Sequence, residues 1–537
     1  MISSTPQRVR RAMGRVQVLL MASLLATTLP AAAQMGEVPQ EIAPQDAPFE
    51  MPQLQRPSFP DRTFNIRDYG AIEMQGEDQE GAILITDAVH RAIDAAHSAG
   101  GGRVLIPSGK WLSGSIHLQS NINLHIAEGA EVLFSTDKDD FLPVVPQRHE
   151  GVEAYNYAPM IYASHVKNVA ITGKGLLNAQ GDHWWEWFEE YGPPPRAIAT
   201  QVPLSRRHFG KGAEQEGMRP SFIVFWKSED ILVEGIHLLD SPMWNVHLIY
   251  SQNIIVRDVD INSLRAPNGD GVVVDSSQNV LIEYNHFQTG DDAVVLKSGL
   301  NEEALEIDIP TENVIVRHFE AKNVRTGSGG VVFGSETSGG LRNIYVHDAY
   351  FDGSDRGIRF KTERGRGNVI ENIYVRDVEM KNITYEAINF NSFYTGPQAM
   401  GVAPTARNIQ ISNVNIDGVP TAISLIGLPE KWVEDITLSN ITIKNAEMGA
   451  RLVRVKNLVM NDVSIESDSL AMTIDDGYEV HLNNVTLTDN VSGGPLRLEG
   501  RYTGAIFLNG GVTREDVQLG TGVSSGVINP ELAPQAW

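Results

Sequence analysis

Nine times along the chain an asparagine or aspartate stands at the head of a short alternating apolar run: KNVAITGKG, EDILVEGIHL, QNIIVRDVDI, QNVLIEYNHF, ENVIVRHFEA, RNIYVHDAYF, RNIQISNVNI, EDITLSNITI and KNLVMNDVSI. The anchors are Asn168, Asp230, Asn253, Asn279, Asn313, Asn343, Asn408, Asp435 and Asn457. Most neighbours lie about 22 to 36 residues apart, with larger gaps where loops are inserted or a rung has a weaker anchor. Asn and Asp favour turns because their side chains bond nearby backbone groups and tolerate left-handed dihedrals. Strands this short cannot bury an apolar face alone, but equal rungs stacked on one another build a continuous core of valine and isoleucine. The pattern therefore predicts an all-β solenoid, a parallel β-helix. A propeller is the rival, but its blades run longer and lack this punctuation.

The rest of the chain fits around that solenoid. Its 537 residues, 42% hydrophobic and 20% charged, supply a large core. The first 33 residues combine Arg8, Arg10, Arg11 and Arg15, an apolar run from about Val16, and the small residues Ala31-Ala32-Ala33, the layout of a secretory signal cut after Ala33. The mature protein is expected to be exported, periplasmic or secreted, with no membrane span after cleavage. Residues 34–60 are rich in proline and suit an extended linker. In ITDAVHRAIDAAHSAGGG, Val89, Ile93 and Ala96 recur at helical spacing before three glycines, which predicts one amphipathic helix capping the N-terminal end of the solenoid. The expected division is 61–160 for this cap and the first rungs, 161–510 for the main β-helix and 511–537 for a C-terminal tail. With no cysteine, stability outside the cytoplasm rests on packing and hydrogen bonds rather than disulfides. A net charge of -24 argues against nucleic acid as a partner.

Within this pattern, TGDDAVVLKSG places Asp291 and Asp292 together at the start of an apolar strand. In a regular strand one of the pair would be buried unpaired. A bend at Gly290, allowed by the dihedral freedom of glycine, would bring both to one surface. NGDGVVVDSS adds Asn268 and Asp270, and RGIRFKT adds Arg359 and Lys361, which share a strand face at i, i+2 spacing. Asp270 and Asp291 are 21 residues apart, roughly one turn, so they are expected to stack. Clustered carboxylates raise one another's pKa and set a proton donor beside an acceptor, as glycosidic hydrolysis requires. A calcium site or a set of turn-capping aspartates is the alternative for a single DG or DD, but not for the whole set with its Arg and Lys.

From FNIRDYGA and GGGRVLIPSGKWLSGSIHL through SPMWNVHLIYSQNIIVRDVDI, NGDGVVVDSS, TGDDAVVLKSG, GSETSGGLRNI and RGIRFKTERGRG, most of the mature chain resembles the pectin-degrading glycoside hydrolases of the polygalacturonase group, in particular the bacterial exo-acting members. The resemblance implies a right-handed parallel β-helix and inverting hydrolysis of α-1,4 bonds between galacturonic acid units, with no metal or other cofactor. The implied partner is an acidic pectic polysaccharide or oligosaccharide. Asp291 matches the general acid, and Asp270 and Asp292 match the carboxylates that hold and deprotonate the attacking water. Arg359 and Lys361 match a uronate-binding pair, and Asn268, His247 and Tyr394 fall at further substrate-side positions. The family's N-T-D is Asn268-Gly269-Asp270 here, and its G-H-G histidine is replaced by Ser328. That replacement leaves room for a related polymer such as rhamnogalacturonan, or for a non-catalytic carbohydrate-binding β-helix. A lyase on the same fold would use calcium and a basic residue in place of paired acids.

Two loop-borne features complete the reading. Trp184, Trp185 and Trp187 in GDHWWEWFEEYGPPP suit either a sugar-stacking platform or core packing beneath an inserted loop. The interval of about 62 residues between Asn168 and Asp230, with FLPVVPQRHEGVEAYNYAP and NEEALEIDIPTEN, adds bulk near the carboxylates. A groove closed at one end by such loops would admit a chain terminus and exclude a chain interior.

Overall fold

A computed structural model of the chain describes residues 37–76, 79, 81–192, 203–210, 218–322 and 327–530. The segment read as a signal therefore lies outside the described residues, as do parts of the insert between Asn168 and Asp230. From Thr63–Asn65 to Val517–Leu519, short strands pair in parallel with the turn before and the turn after, forming the expected parallel β-helix. Its coils are right-handed, the hand that twisted strands impose on parallel crossovers.

All nine anchors adopt the left-handed conformation, with φ between 50° and 59°. Asn and Asp tolerate that region where other side chains clash with the backbone. The anchors also bond to one another from rung to rung. Asn279 Nδ2 donates to Asn253 Oδ1 at 3.1 Å, Asn313 to Asn279 at 3.2 Å and Asn343 to Asn313 at 3.1 Å. The long interval from Asn343 to Asn408 holds one more rung, anchored by Asn372 (φ 56°), which donates to Asn343 at 3.0 Å.

Inside the coil, one apolar core runs without a break from Ile66 to Ile528. The cap, the first rungs and the main region share it. The segment read as a tail shares it too, because Val517–Leu519 pairs with Leu496–Glu499 of the turn before and Ile528 is buried, so residues 511–530 make the closing turn. The predicted helix is present at Thr86–Ser98; it buries Val89, Ile93 and Ala96 and is followed by Gly100, Gly101 and Gly102, all at positive φ. The three tryptophans are buried: Trp184 packs against Phe141, Tyr157 and Trp187, and Trp185 Nε1 donates to Ser241 O. Core packing, not a sugar platform, is their role.

Residues 37–60 carry no regular element, as their prolines predict, but they are not a free linker. They lie as a strap along an outer face, where Leu54, Phe49 and Met51 cover Leu232, Ile255, Leu281 and Ile315. Arg257 Nη2 donates to Pro39 O, and Arg317 donates to Ala43 O and Pro44 O, at 2.8 to 2.9 Å. The sequence reading weighed the prolines and missed the apolar residues between them.

Candidate active site

The register of the rungs decides which carboxylates meet. Val272 pairs with Val294, Val294 with Val331, and Val331 with Ile358. The first step is 22 residues, so the backbone of Asp270 aligns with that of Asp292, while Asp291 is the carboxylate whose charge Asp270 feels most strongly. Hydrogen bonds from Gly271 N to Asp292 O (2.9 Å) and from Ala293 N to Gly329 O (2.8 Å) fix this corner. Asp291 sits one residue upstream on the turn, where its Oδ1 accepts from Asp292 N at 2.9 Å. Gly290 matters for a different reason from the one its dihedral freedom suggested. Its φ is not positive, but a Cβ there would lie 2.0 Å from Ala266 O, so only glycine lets the two turns approach. The three carboxylates do gather on the outer surface of one corner, as expected, with Asp270 and Asp292 buried and Asp291 partly exposed.

Cations face them. Lys361 Nζ donates to Asp292 Oδ2 at 2.7 Å, and Arg359 Nη1 stands 3.6 Å from Asp292 Oδ1 while donating to Gly327 O at 2.6 Å. Burial is the largest single influence on Lys361 and lowers its proton affinity, but Asp292 and Tyr394 together raise it above its ordinary value. Tyr394 is 37% exposed, its ring centre 5.5 Å from Lys361 Nζ and 5.9 Å from Arg359 Cζ, so it stands at the open side of the pair. Burial first, and then the charge of Asp292, push Asp291 up to about 6. Burial and then Asp291 push Asp270 well above the usual carboxylate range. Asp291, raised far enough to hold a proton at mildly acidic pH, stands next to a carboxylate that faces a lysine, so the corner provides both donor and acceptor.

Other sequence-derived positions are held nearby. Asn268 has φ 52°, and its Oδ1 accepts from Arg219 Nη2 at 2.8 Å, so its side chain secures the turn leading to Asp270. Ser328 is fully buried between Gly327, whose carbonyl binds Arg359, and Gly329, where a Cβ would come 3.4 Å from Asp292 Oδ1. His247 is not brought to the carboxylates. It is 1% exposed, its Nε2 lies 3.5 Å from Asp275 Oδ2, its ring packs edge-on against Trp244, and burial lowers its pKa.

Four residues escaped the sequence reading. Lys297 Nζ lies 4.0 Å from Asp270 Oδ2, 2.8 Å from Glu336 Oε2 and 4.7 Å from the Trp244 ring centre. Asn245 Nδ2 donates to Asp270 O at 3.0 Å. Lys297 ends the run AVVLK just as Lys361 ends GIRFK, and that shared position was the available signal. Glu336 and Asn245 carried no such signal, because their contacts come from neighbouring rungs. Of the five basic residues at 356–366, Arg356 pairs with Asp355 and Glu386, Arg364 with Glu430, and Arg366 with Glu363, leaving Arg359 and Lys361 for the site.

Residues 206–446 match the family described as Glycosyl hydrolases family 28. A probable polygalacturonase of Vitis vinifera is 31% identical over 391 residues, covering 71% of this chain and 74% of that protein. The structure of a hyperthermoactive exopolygalacturonase from Thermotoga maritima aligns with a TM-score of 0.70 at 35% identity, over 76% of this chain and 94% of that one. A family 28 exopolygalacturonase from Yersinia enterocolitica, 20% identical, shares the fold with a TM-score of 0.66 over 84% of this chain and 79% of its own. Fold and relatives together define a glycoside hydrolase built on a parallel β-helix. The chain belongs to glycosyl hydrolase family 28.

Proposed function

We propose that this hydrolase cleaves α-1,4-galacturonosyl bonds of pectic chains by a single inverting displacement, working inward from a chain end. The observation that carries the reading is the corner at which Asp270, Asp291 and Asp292 face Lys361 and Arg359 with Tyr394 alongside. Asp291, protonated at mildly acidic pH, gives its proton to the glycosidic oxygen as the bond to the anomeric carbon breaks. Asp270 and Asp292 hold a water on the opposite face of the ring and take its proton as the water oxygen bonds to that carbon, inverting its configuration. Arg359 and Lys361 bind the uronate carboxylate, and the flat Arg359 guanidinium suits two-point contact with it.

Terminal attack is supported by the named activity of the Thermotoga maritima and Yersinia enterocolitica relatives and by the hairpin Val145–His149/Val152–Asn156 laid over the preceding rungs. Export is part of the proposal on the strength of the N-terminal sequence. Ser328 favours a second reading, a related pectic polymer such as rhamnogalacturonan, because a buried serine one residue before Gly329, which approaches Asp292, leaves that wall of the site without an imidazole. The deciding experiment is product analysis on polygalacturonate and rhamnogalacturonan side by side, with viscosity followed in parallel. Release of galacturonate monomer or dimer from polygalacturonate alone, with slow loss of viscosity, is expected. Cleavage of rhamnogalacturonan alone would establish the second reading, and an unsaturated, ultraviolet-absorbing product would replace hydrolysis with elimination.

A further inference from the structure

The outward positions of the catalytic sheet form two columns. One runs Tyr162, Val224, His247, Val273, Val295, Val332, Arg359; the other includes Trp226, Ile249, Asp275 and Lys297. The antiparallel hairpin Val145–His149/Val152–Asn156 lies on the early part of both. Val145 packs with Tyr162, Val224, Trp226 and Ile249, and Tyr162 Oη donates to Pro146 O at 2.9 Å. Further along the hairpin, Arg148 is 2% exposed; its Nη1 donates to Asp275 Oδ1 at 2.7 Å and to Ser276 Oγ at 2.9 Å, and its guanidinium lies 4.6 Å from the Tyr250 ring centre. Asp275 ends the rung that Asp270 begins, and its neighbour on the next rung is Lys297, which itself faces Asp270. The hairpin tip reaches that rung as well: Gly151 O accepts from Leu300 N at 3.1 Å, and a Cβ on Gly151 would lie 2.8 Å from Glu336 Cγ. Beyond Arg359, the same column continues through the short side chains Asn389 and Ser424.

The geometry points to Arg148 as the positioning residue that determines specificity: by pinning the hairpin to Asp275 beside the carboxylate rung, it fixes the wall that stops a polymer end and denies passage to an internal segment. This inference rests on the terminal-attack reading above. Apolar packing and the Tyr162–Pro146 hydrogen bond hold the hairpin at its base, whereas Arg148 ties its far part by a buried ion pair to the rung that Asp270 begins, so loosening it opens the groove where the substrate would cross.

The test compares viscosity loss per bond cleaved on long polygalacturonate for the full-length parent and two variants. Arg148→Met with Asp275→Leu removes the ion pair without leaving either charge buried alone. The second variant replaces residues 148–153 by Asn-Gly, a two-residue turn between the paired Gln147 and Ala154, in the Asp275→Leu background. It keeps the question answerable if the first does not fold. Terminal attack by the parent, with viscosity loss per bond rising about tenfold in a folded variant, is the expected result. This ratio is independent of how much enzyme is active, so a merely structural role for Arg148 would lower rate and melting temperature and leave the ratio unchanged. An unchanged ratio beside a slow-thinning parent overturns the inference alone. A parent that thins the polymer rapidly overturns the terminal-attack reading and the inference with it.

Discussion

Asp291 is a group whose chemistry and stability pull in opposite directions. Burial, then the neighbouring Asp292, raise its folded pKa to about 6, above the unfolded value near 4. The folded state therefore binds the extra proton between these values, and stability falls as pH rises from about 4 to about 6. Asp291→Asn removes that penalty, so the variant should be more stable than the parent at pH 7 by about 1–3 kcal/mol and equal to it below about pH 4. Denaturant unfolding at the two pH values measures this. Its kcat should fall by about two orders of magnitude or more, since an amide has no proton to give. In the parent, kcat should decline on the alkaline side above about pH 6 as the acid loses its proton. An alkaline limb unmoved from neutral pH, or near-parental turnover in the variant, would remove Asp291 from the acid's role. The residue types of the site were legible in the sequence because three polar groups interrupt apolar strands. Their backbone register was not: a rung of 22 residues rather than 21 aligns Asp270 with Asp292, and nothing in local sequence reports a one-residue difference in turn length.

At the level of the rung, the anchor ladder does two jobs that substitution can separate. Asn313 holds φ 56°, donates to Asn279 and accepts from Asn343. Asn313→Ala loses both bonds and strains the backbone, and should cost about 3–4 kcal/mol from roughly 1–2 for a left-handed residue plus about 1 per bond. Asn313→Gly relieves the strain and loses only the bonds, so it should cost about half as much. Guanidinium unfolding of the two variants gives the comparison, and equal losses would mean that the left-handed turn contributes nothing. The elements themselves were the most legible part of the chain, since each anchor with its alternating run states a turn and a strand together. What the repeats left unread were contacts between residues far apart in the chain, such as Arg148 with Asp275 and Lys297 with Glu336, whose partners share no local pattern.

Across the whole molecule, a charge of -24 opposes an acidic polymer, while the site presents Arg359, Lys361 and Lys297 at close range. Raising ionic strength from about 0.01 M to about 0.1 M shortens the screening length from roughly 30 Å to roughly 10 Å, which weakens the long-range repulsion and leaves contacts inside the site nearly intact. KM for polygalacturonate should therefore fall over this interval and rise again only near about 1 M. A KM that climbs steadily from the lowest salt would show that the cationic site, not the acidic surface, governs capture. The strap at 37–60 adds an order of events in time. Arg317, which donates to the carbonyls of Ala43 and Pro44, stands 273 residues after Pro44, so a chain growing from its N-terminus leaves this part of the strap without its seat until that rung has been made. The earliest of the described residues to emerge thus wait for the middle of the coil, and they close over rungs already wound while later ones are still to come.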